Sequence, residues 1–175
     1  GMIRDARRAL GRKDKRFSFE VFDCAKIPHK GCNFDLVIAN HVLFYCEDIP
    51  AVCNEIQRVL VPGGKLICST YGSHHMQEVS QLVQDFDNRI VLSADRLYER
   101  FGRENGADIL APYFSDISWE SYNDSLLVPD AEPLISYILS CHGNQNQYLL
   151  DKYTDFRGFV SRKTKDGFFI TKDAG

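Results

Sequence analysis

Polar and aromatic side chains that could contact a small ligand follow two predicted strands. Asn40 and His41 come directly after the apolar run from Phe34 to Ala39, and Tyr71 comes shortly after the run from Leu66 to Cys68. In open sheets whose strands are joined through helices, ligands bind beyond the carboxyl ends of the strands. The pattern therefore predicts a binding edge that contains Asn40, His41 and Tyr71.

Two further histidines, His74 and His75, follow Tyr71 and could reach a substrate or, in principle, a metal. Adjacent residues of a helix point in different directions, which favours a surface pair at a helix N-terminus instead. The six cysteines include no Cys-x-x-Cys pair and no accompanying histidines at zinc spacing. No Ser-His-Asp or Cys-His arrangement is recognisable from spacing either. We therefore expect no metal site, and we assign no catalytic residue.

The elements that carry these side chains form a strand, helix and strand unit. The nearly continuous apolar run predicts that Phe34–Asn40 is a strand covered on both sides. A helix follows Asp48, with Glu55 and Arg58 facing outward, and its apolar residues are Val52, Ile56, Val59 and Leu60. Pro-Gly-Gly at 62–64 ends this helix, and a second buried strand begins at Leu66. Such a unit has parallel strands and a right-handed crossover.

The rest of the chain contains further periodic segments. Strands are predicted at Phe17–Phe22, Ile117–Tyr122 and Gly167–Thr171. Helices are predicted at Met2–Leu10, from Met76 to Phe86, at Asp95–Phe101, at Ala107–Tyr113, after an Asp130 cap, and at Tyr148–Val160.

Composition places the chain among ordinary globular proteins. It has 175 residues, of which 44% are hydrophobic and 26% charged, so we expect one domain over 1–175. A net charge of -3 offers no reason to expect a nucleic-acid partner. No apolar run reaches the roughly 20 residues of a membrane span, and no signal peptide is present. Cysteines within apolar patterns favour buried free thiols, which indicates a cytoplasmic protein.

Several motifs occur together in order and spacing. FDLVIANHVL at 34–43, an acidic turn and EIQRVLVPGGKL at 55–66 follow one another, and DCAKIP at 23–28 precedes them. This chain closely resembles the second half of a class I S-adenosylmethionine-dependent methyltransferase. Its D-A-x-x-L-P element is matched with Cys24 as an extra residue. The resemblance extends through almost the whole chain and implies an α/β, Rossmann-like sheet in a three-layer fold.

The resemblance also implies roles for individual residues. With S-adenosylmethionine as cofactor, Asp23 would accept the adenine amino group, and Cys24 and Ala25 would lie beside the ring. Asn40 and His41 would line the methionine and sulfonium end. A small-molecule methyl acceptor would lie near Phe44, Tyr71 and His75. Two alternatives remain open: Asp23 caps the following turn, and His41 is a loop histidine satisfied by backbone groups.

The resemblance does not include the family's glycine-rich turn, because the glycines form no G-x-G-x-x-G-like cluster. We therefore expect a partial domain without the first two strands of the sheet, and weak or absent cofactor binding. Missing strands would leave unpaired edges, which invite pairing with another chain. Our hypothesis is that Phe17–Phe22 moves beside Phe34–Asn40 or pairs across a homodimer.

Two other functions compete with methyl transfer. A non-catalytic remnant or assembly subunit would use the same fold to bind a protein. A nicotinamide dehydrogenase is the weaker alternative, because that fold also needs a glycine-rich turn and Asp23–Pro28 fits it less well.

Overall fold

The computed structural model describes residues 2–11, 14–93 and 96–175, and its architecture is mixed α/β with two small sheets. In chain order the elements are α1 (Met2–Leu10), β1 (Phe34–Asn40), α2 (Ile49–Val59), β2 (Leu60–Ser69), α3 (Gln77–Phe86), α4 (Leu97–Arg100), α5 (Gly106–Leu110), β3 (Tyr122–Val128), α6 (Ala131–Ser140), α7 (Gln145–Leu149), α8 (Tyr153–Thr164) and β4 (Phe168–Ala174), with a 3-10 turn at Leu43–Tyr45. No described helix is long and apolar enough to cross a membrane.

Contacts group the chain into two compact units. The first contains Gly1–Val37 and Cys46–Leu66, and the second contains Ile38–Tyr45 and Ile67–Gly175. The strands β1 and β2 are hydrogen-bonded neighbours, and β3 pairs with β4.

The helix α2 organises the first unit. Asp48 caps it by accepting a hydrogen bond from the Ala51 N–H at 2.9 Å, and Pro50 lies in its first turn. Its buried residues recur at helical spacing, as predicted: Ile49, Val52, Cys53, Ile56 and Val59. The helix ends at Val59, however, and Pro-Gly-Gly at 62–64 lies inside β2. Leu60, which the pattern included in the helix, is already extended, because a proline disfavours the α conformation just before it and the chain leaves the helix ahead of Pro62.

The strand β1 forms as predicted, but it is not covered on both sides. Leu36 is 43% exposed and Ile38 is 59% exposed. These two side chains alternate with Ala39 and Val37, so one face of the strand is open.

The segment Phe17–Phe22 does not form the predicted strand, and Val21 in it is 90% exposed. Alternating residues form a strand only when a neighbouring strand accepts their backbone hydrogen bonds. Here the Arg7 guanidinium donates to the Phe19 carbonyl instead, at 3.3 Å. The proposed move of this segment to a position beside β1 is therefore wrong, and pairing across a dimer stays a prediction.

The second unit has the larger core. Its main cluster comes from α3, α6, α8 and β4 and includes Val79, Leu82, Val83, Leu134, Ile135, Ile138, Phe156, Val160 and Ile170. Asp130 caps α6, as predicted, by accepting from the Glu132 N–H at 3.0 Å. The helix α3 packs against β4, and α6 packs against α8, so that the helices cover one face of the antiparallel β3–β4 sheet with apolar residues.

Three predicted elements of this unit differ from the structure. The strand expected at Ile117–Tyr122 begins only at Tyr122, because β4 pairs with the later residues in a register that places Leu126 opposite Ile170. The helix expected at Tyr148–Val160 is divided into α7 and α8. The helix expected at Asp95–Phe101 is α4, and Asp95 lies outside the described residues.

All six cysteines are free thiols, as expected, but only Cys53 is buried and Cys32 is exposed. The apolar residues around a cysteine in the sequence therefore did not predict how far its side chain is buried, because burial depends on which helices and strands cover it.

Candidate ligand site

Tyr71, two residues beyond the end of β2, is the centre of an aromatic cluster. Its ring centroid lies 5.2 Å from that of His75, 5.3 Å from Phe44, 6.3 Å from Tyr98 and 6.5 Å from His41. We call these five residues the aromatic cluster. The strand ends predicted a binding edge with His41 and Tyr71, and the resemblance placed Phe44 and His75 near the acceptor. The fifth, Tyr98 of α4, was missed because nothing in its local pattern links it to the strand ends.

The backbone turn after β1 positions one side of this cluster. His41 has a φ of 48°, in the left-handed region. Its N–H donates to both the carbonyl and the Oγ of Ser69, at 3.1 and 3.2 Å. The chain then enters the 3-10 turn, where Phe44 is only 2% exposed and forms the base of the cluster. Asn40 is exposed, and its Oδ1 accepts a long 3.4 Å hydrogen bond from Ser69 Oγ.

The predicted surface pair of histidines is half right. His74 is exposed, whereas His75 is half-buried against Tyr71. The Nδ1 of His75 is buried and has no hydrogen-bond partner among the residues that the structure describes. Burial lowers the pKa of His75, and the nearby Lys172 and His41 lower it further, while Asp173 opposes them. His75 therefore presents a neutral ring with an available nitrogen at neutral pH.

Three other tyrosines influence the phenol of Tyr71 electrostatically. Burial raises its pKa, and the nearby hydroxyls of Tyr45, Tyr98 and Tyr137 raise it further. The Tyr137 hydroxyl also lies 3.6 Å from the Met76 sulfur. Tyr71 is therefore a neutral phenol that can donate or accept a hydrogen bond, and it has no role as an anionic nucleophile near neutral pH.

Two carboxylates approach the backbone at Gly72, immediately after Tyr71. A Cβ at Gly72 would lie 2.3 Å from Asp173 Oδ2 and 3.0 Å from Glu104 Oε1, so a side chain at position 72 would displace these carboxylates. These two residues and His74 each place one possible metal-ligand atom within 4.8 Å of the others. The Arg103 guanidinium already pairs with Asp173 Oδ1 at 2.7 Å. Ser73 donates to Glu104 from its N–H and its hydroxyl, both at 2.9 Å. Protein groups thus supply the positive charge and donors that a metal would otherwise supply.

The predicted adenine-binding residues form a tight turn in the first unit. Asp23 Oδ1 accepts from the Ala25 N–H at 2.9 Å, and the Asp23 carbonyl accepts from the Lys26 N–H at 2.8 Å. The turn-capping interpretation of Asp23 is therefore observed. Asp23 is exposed, and neither its Oδ2 nor the Cys24 N–H has a hydrogen-bond partner within the described ranges. An exposed acceptor beside a free backbone donor fits the amino group and ring nitrogen of an adenine.

A pair of side chains from α2 anchors the segment that follows this turn. Glu55 accepts from the Ile27 N–H at 2.8 Å, and Arg58 donates to the carbonyls of Ile27 and His29 at 2.9 and 2.8 Å. The Arg58 guanidinium lowers the pKa of Glu55 to about 2. The sequence indicated only that both residues face outward. Their contact with a loop 28 residues earlier required the tertiary structure.

The segment from α1 through most of β2 also matches a known family. Residues 1–68 match the sequence model of a protein family described as a methyltransferase domain. The matched segment includes Asp23, Cys24, Ala25, Asn40, His41 and Phe44, and it ends before Tyr71.

Several proteins are similar to part of this chain. The biotin biosynthesis bifunctional protein BioHC of Saccharophagus degradans is 32% identical over 90 residues, which are 51% of this chain and 16% of that protein. A malonyl-[acyl-carrier protein] O-methyltransferase of Methylovorus is 28% identical over 98 residues, 53% of this chain and 33% of that protein. Phosphoethanolamine N-methyltransferase 3 of Arabidopsis thaliana is 24% identical over 132 residues, 61% of this chain and 27% of that protein.

The chain thus spans no more than a third of the length of these curated relatives. Among solved structures, the [4+2]-cyclase SpnF is similar, with a TM-score of 0.45, 19% identity, and coverage of 98% of this chain and 61% of that chain.

Proposed function

We propose that this chain is part of an S-adenosylmethionine-dependent methyltransferase that acts on a small acceptor, and that its elements belong to a Rossmann-like, three-layer class I domain. The observation that carries this proposal is the family match of residues 1–68. The match includes both the Asp23 turn and the His41 turn, which are the two places where the resemblance puts cofactor contacts.

On the cofactor side, we assign the adenine to the turn at 23–25. The free Oδ2 of Asp23 accepts the amino group, the Cys24 N–H donates to the ring, and Ala25 holds the other carboxylate oxygen in place. Asn40 and His41 are the residues we assign to the methionine end. Because the 175 residues contain no glycine-rich turn, we expect this binding to be weak.

On the acceptor side, we assign Phe44, Tyr71 and His75. The bound cofactor supplies a methyl group that is already activated by its positively charged sulfur. The protein then has to hold the acceptor in line and keep water away, and alignment of this kind can supply much of the catalysis. The buried Phe44 ring and the half-buried Tyr71 and His75 rings offer a surface suited to that task. The relatives include an O-methyltransferase and an N-methyltransferase, so both oxygen and nitrogen acceptors are compatible with the proposal.

Calorimetric titration of the purified chain with S-adenosylhomocysteine tests the proposal. We expect one-to-one binding that Asp23→Asn weakens, because the asparagine can still cap the turn through Oδ1 but replaces the free carboxylate oxygen with a donor. Asp108→Asn, at an exposed position of α5, is the matched control and should bind like the unaltered chain. No binding at millimolar ligand would reject the cofactor site.

A non-catalytic role in protein assembly is the second candidate, and the open face of β1 favours it. Leu36 and Ile38 expose apolar surface there, and each described two-stranded sheet has unpaired strand edges. We propose that this open face, together with the strand edges beside it, forms a homodimer contact. Sedimentation equilibrium should then show dimers that Ile38→Lys dissociates and Val21→Lys, at an exposed apolar residue outside the sheets, does not. Monomers at all concentrations would contradict this.

We further propose a cytoplasmic location, which the six free thiols support because a reducing compartment keeps thiols in this state. A net charge of -3 supports a small-molecule acceptor over a nucleic acid.

A further inference from the structure

We infer that Glu55 and Arg58 of α2 are positioning residues for the adenine-binding turn at 23–25. The pair holds the backbone just after the turn and thereby fixes the direction in which Asp23 and the Cys24 N–H face a ligand. This inference rests on the proposed function for the identity of the ligand, but the hold on the turn can be measured in the ligand-free chain.

The turn lies in a segment without regular secondary structure. Residues 14–33 contain no helix and no strand, so the hydrogen bonds of a helix or a sheet are not available to their backbone. Val21, shortly before the turn, is exposed and adds no packing. An irregular segment of this kind takes a defined path only where other groups pair with its backbone N–H and carbonyl groups.

The side chains of α2 supply such partners at residue 27. The Ile27 N–H donates to Glu55 Oε2 at 2.8 Å, and the Ile27 carbonyl accepts from Arg58 Nη2 at 2.9 Å. Both backbone groups of one residue are therefore held by the same pair of side chains. Arg58 Nη1 also donates to the His29 carbonyl at 2.8 Å, which extends the anchored backbone to residue 29.

The two side chains also fix each other. Glu55 and Arg58 lie three residues apart on α2, and Arg58 Nε and Nη2 donate to the two carboxylate oxygens of Glu55, both at 2.7 Å. The planar guanidinium makes this double contact and still reaches the Ile27 and His29 carbonyls. A lysine has a single nitrogen on a flexible stem and could not make all of these contacts together.

The anchor reaches the turn from its C-terminal side. The Lys26 N–H donates to the Asp23 carbonyl at 2.8 Å, and the Ala25 N–H donates to Asp23 Oδ1 at 2.9 Å. Lys26 directly precedes the anchored Ile27, so a displacement of residue 27 would pull on both hydrogen bonds of the turn. The free Oδ2 of Asp23 keeps its direction only while those hydrogen bonds hold.

His29 extends the same anchor to the N-terminal side of the turn. Its Nε2 lies 3.3 Å from Glu20 Oε2, and its ring makes an edge contact with the Phe22 ring, with 6.4 Å between the centroids. Because Arg58 holds the His29 carbonyl, residues on both sides of the turn depend on one pair of side chains. A site that is held in its binding conformation beforehand loses less conformational entropy when the ligand binds. The pair should therefore raise the affinity of the turn for an adenine.

Amide hydrogen exchange of the ligand-free chain, followed by NMR, tests the hold on the turn. Arg58→Lys should speed exchange of the amides of residues 25–27 about tenfold. The Asn33 N–H, which donates to the Val59 carbonyl at 2.7 Å, is the internal reference, because its hydrogen bond involves neither side chain of the pair. Its exchange rate should stay the same, whereas a general loss of stability would speed exchange at Asn33 as well.

Calorimetric titration of the same proteins tests the consequence for the ligand. S-adenosylhomocysteine should bind Arg58→Lys about tenfold more weakly than the unaltered chain. Arg89→Lys is the matched control, since Arg89 makes a similar two-oxygen contact with Asp87 in the second unit, at 2.8 and 2.6 Å. It should change neither the exchange at 25–27 nor the affinity. If Arg58→Lys does not fold, Glu55→Gln gives the same test, because it removes the carboxylate charge that orients the guanidinium.

Unchanged exchange at residues 25–27 in Arg58→Lys would overturn the inference, whatever the ligand does. Faster exchange with unaltered affinity would also overturn it, because the orientation of the turn would then have no effect on the ligand. Failure of the unaltered chain to bind S-adenosylhomocysteine would reject the cofactor site and the ligand part of this inference, while the exchange rates would still decide whether Glu55 and Arg58 hold the turn.

Discussion

The imidazole ring of His75 packs against the phenol ring of Tyr71, with 5.2 Å between the ring centroids and 39° between the ring planes. This contact removes His75 from water and leaves its Nδ1 buried. The charged imidazolium loses hydration there, and no carboxylate compensates fully because Lys172 offsets the effect of Asp173.

We therefore expect a side-chain NMR titration to give His75 a pKa below its ordinary value of 6.5. Above pH 6.5 the ring is neutral in both folded and unfolded chains. As the pH falls below 6.5, the unfolded chain binds a proton that the folded chain resists, so the free energy of unfolding decreases. His75→Gln should flatten this pH dependence between 6.5 and the folded pKa.

Glu55 should make the free energy of unfolding depend on pH in a second, more acidic range. Its pKa is lowered from 4.5 to about 2 by the hydrogen-bonded Arg58 guanidinium. Its contribution is complete above pH 4.5 and is lost as the pH falls towards 2, because the unfolded chain takes up the proton first. Glu55→Gln should lower the melting temperature at pH 7 by roughly 2–4 °C. The difference between the two proteins should shrink as the pH approaches 2, and a constant difference would contradict the ion pair.

Gly143 should not tolerate a side chain, whereas Gly158 should. A Cβ at Gly143 would lie 1.8 Å from the Val91 carbonyl oxygen, which accepts a hydrogen bond from Asn144. Gly143→Ala must therefore displace backbone, and we expect a large loss of stability in urea unfolding. Gly158 lies inside α8 with only the end of the Arg162 side chain 3.6 Å from its Cβ position. Gly158→Ala should stabilise the protein by about 0.5–1 kcal/mol. Equal changes in the free energy of unfolding for Gly143→Ala and Gly158→Ala would contradict the close backbone packing around residue 143.

Thr70 should stabilise the second unit through its hydroxyl. Its Oγ1 donates to the Phe101 carbonyl at 2.7 Å, and Thr70 is buried. Thr70→Val keeps the shape and removes the donor, which should cost about 1–3 kcal/mol in urea unfolding because the Phe101 carbonyl is left without it. Thr70→Ser keeps the donor and should cost clearly less. If Thr70→Val and Thr70→Ser lower the free energy of unfolding equally, the hydrogen bond makes no net contribution to stability.

Much of the local structure could be predicted from the sequence. Met2–Leu10, the helix after Asp48, and the strand Phe34–Asn40 follow from periodicity and caps, because these signals arise between residues that are near in the chain. The strands predicted at Phe17–Phe22 and Ile117–Tyr122 failed because a strand also needs a partner, and alternation carries no information about the partner.

The sequence by itself determined the mixed α/β class, the methyltransferase resemblance, and the presence of His41 and Tyr71 after two strands. Only the tertiary structure decided that His75 is half-buried against Tyr71, that Tyr98 joins them from α4, and that Arg103 neutralises Asp173. The physical reason is that ring packing, burial and charge pairing depend on distances between residues far apart in the chain. The periodicity of neighbouring residues in the sequence carries no information about those distances.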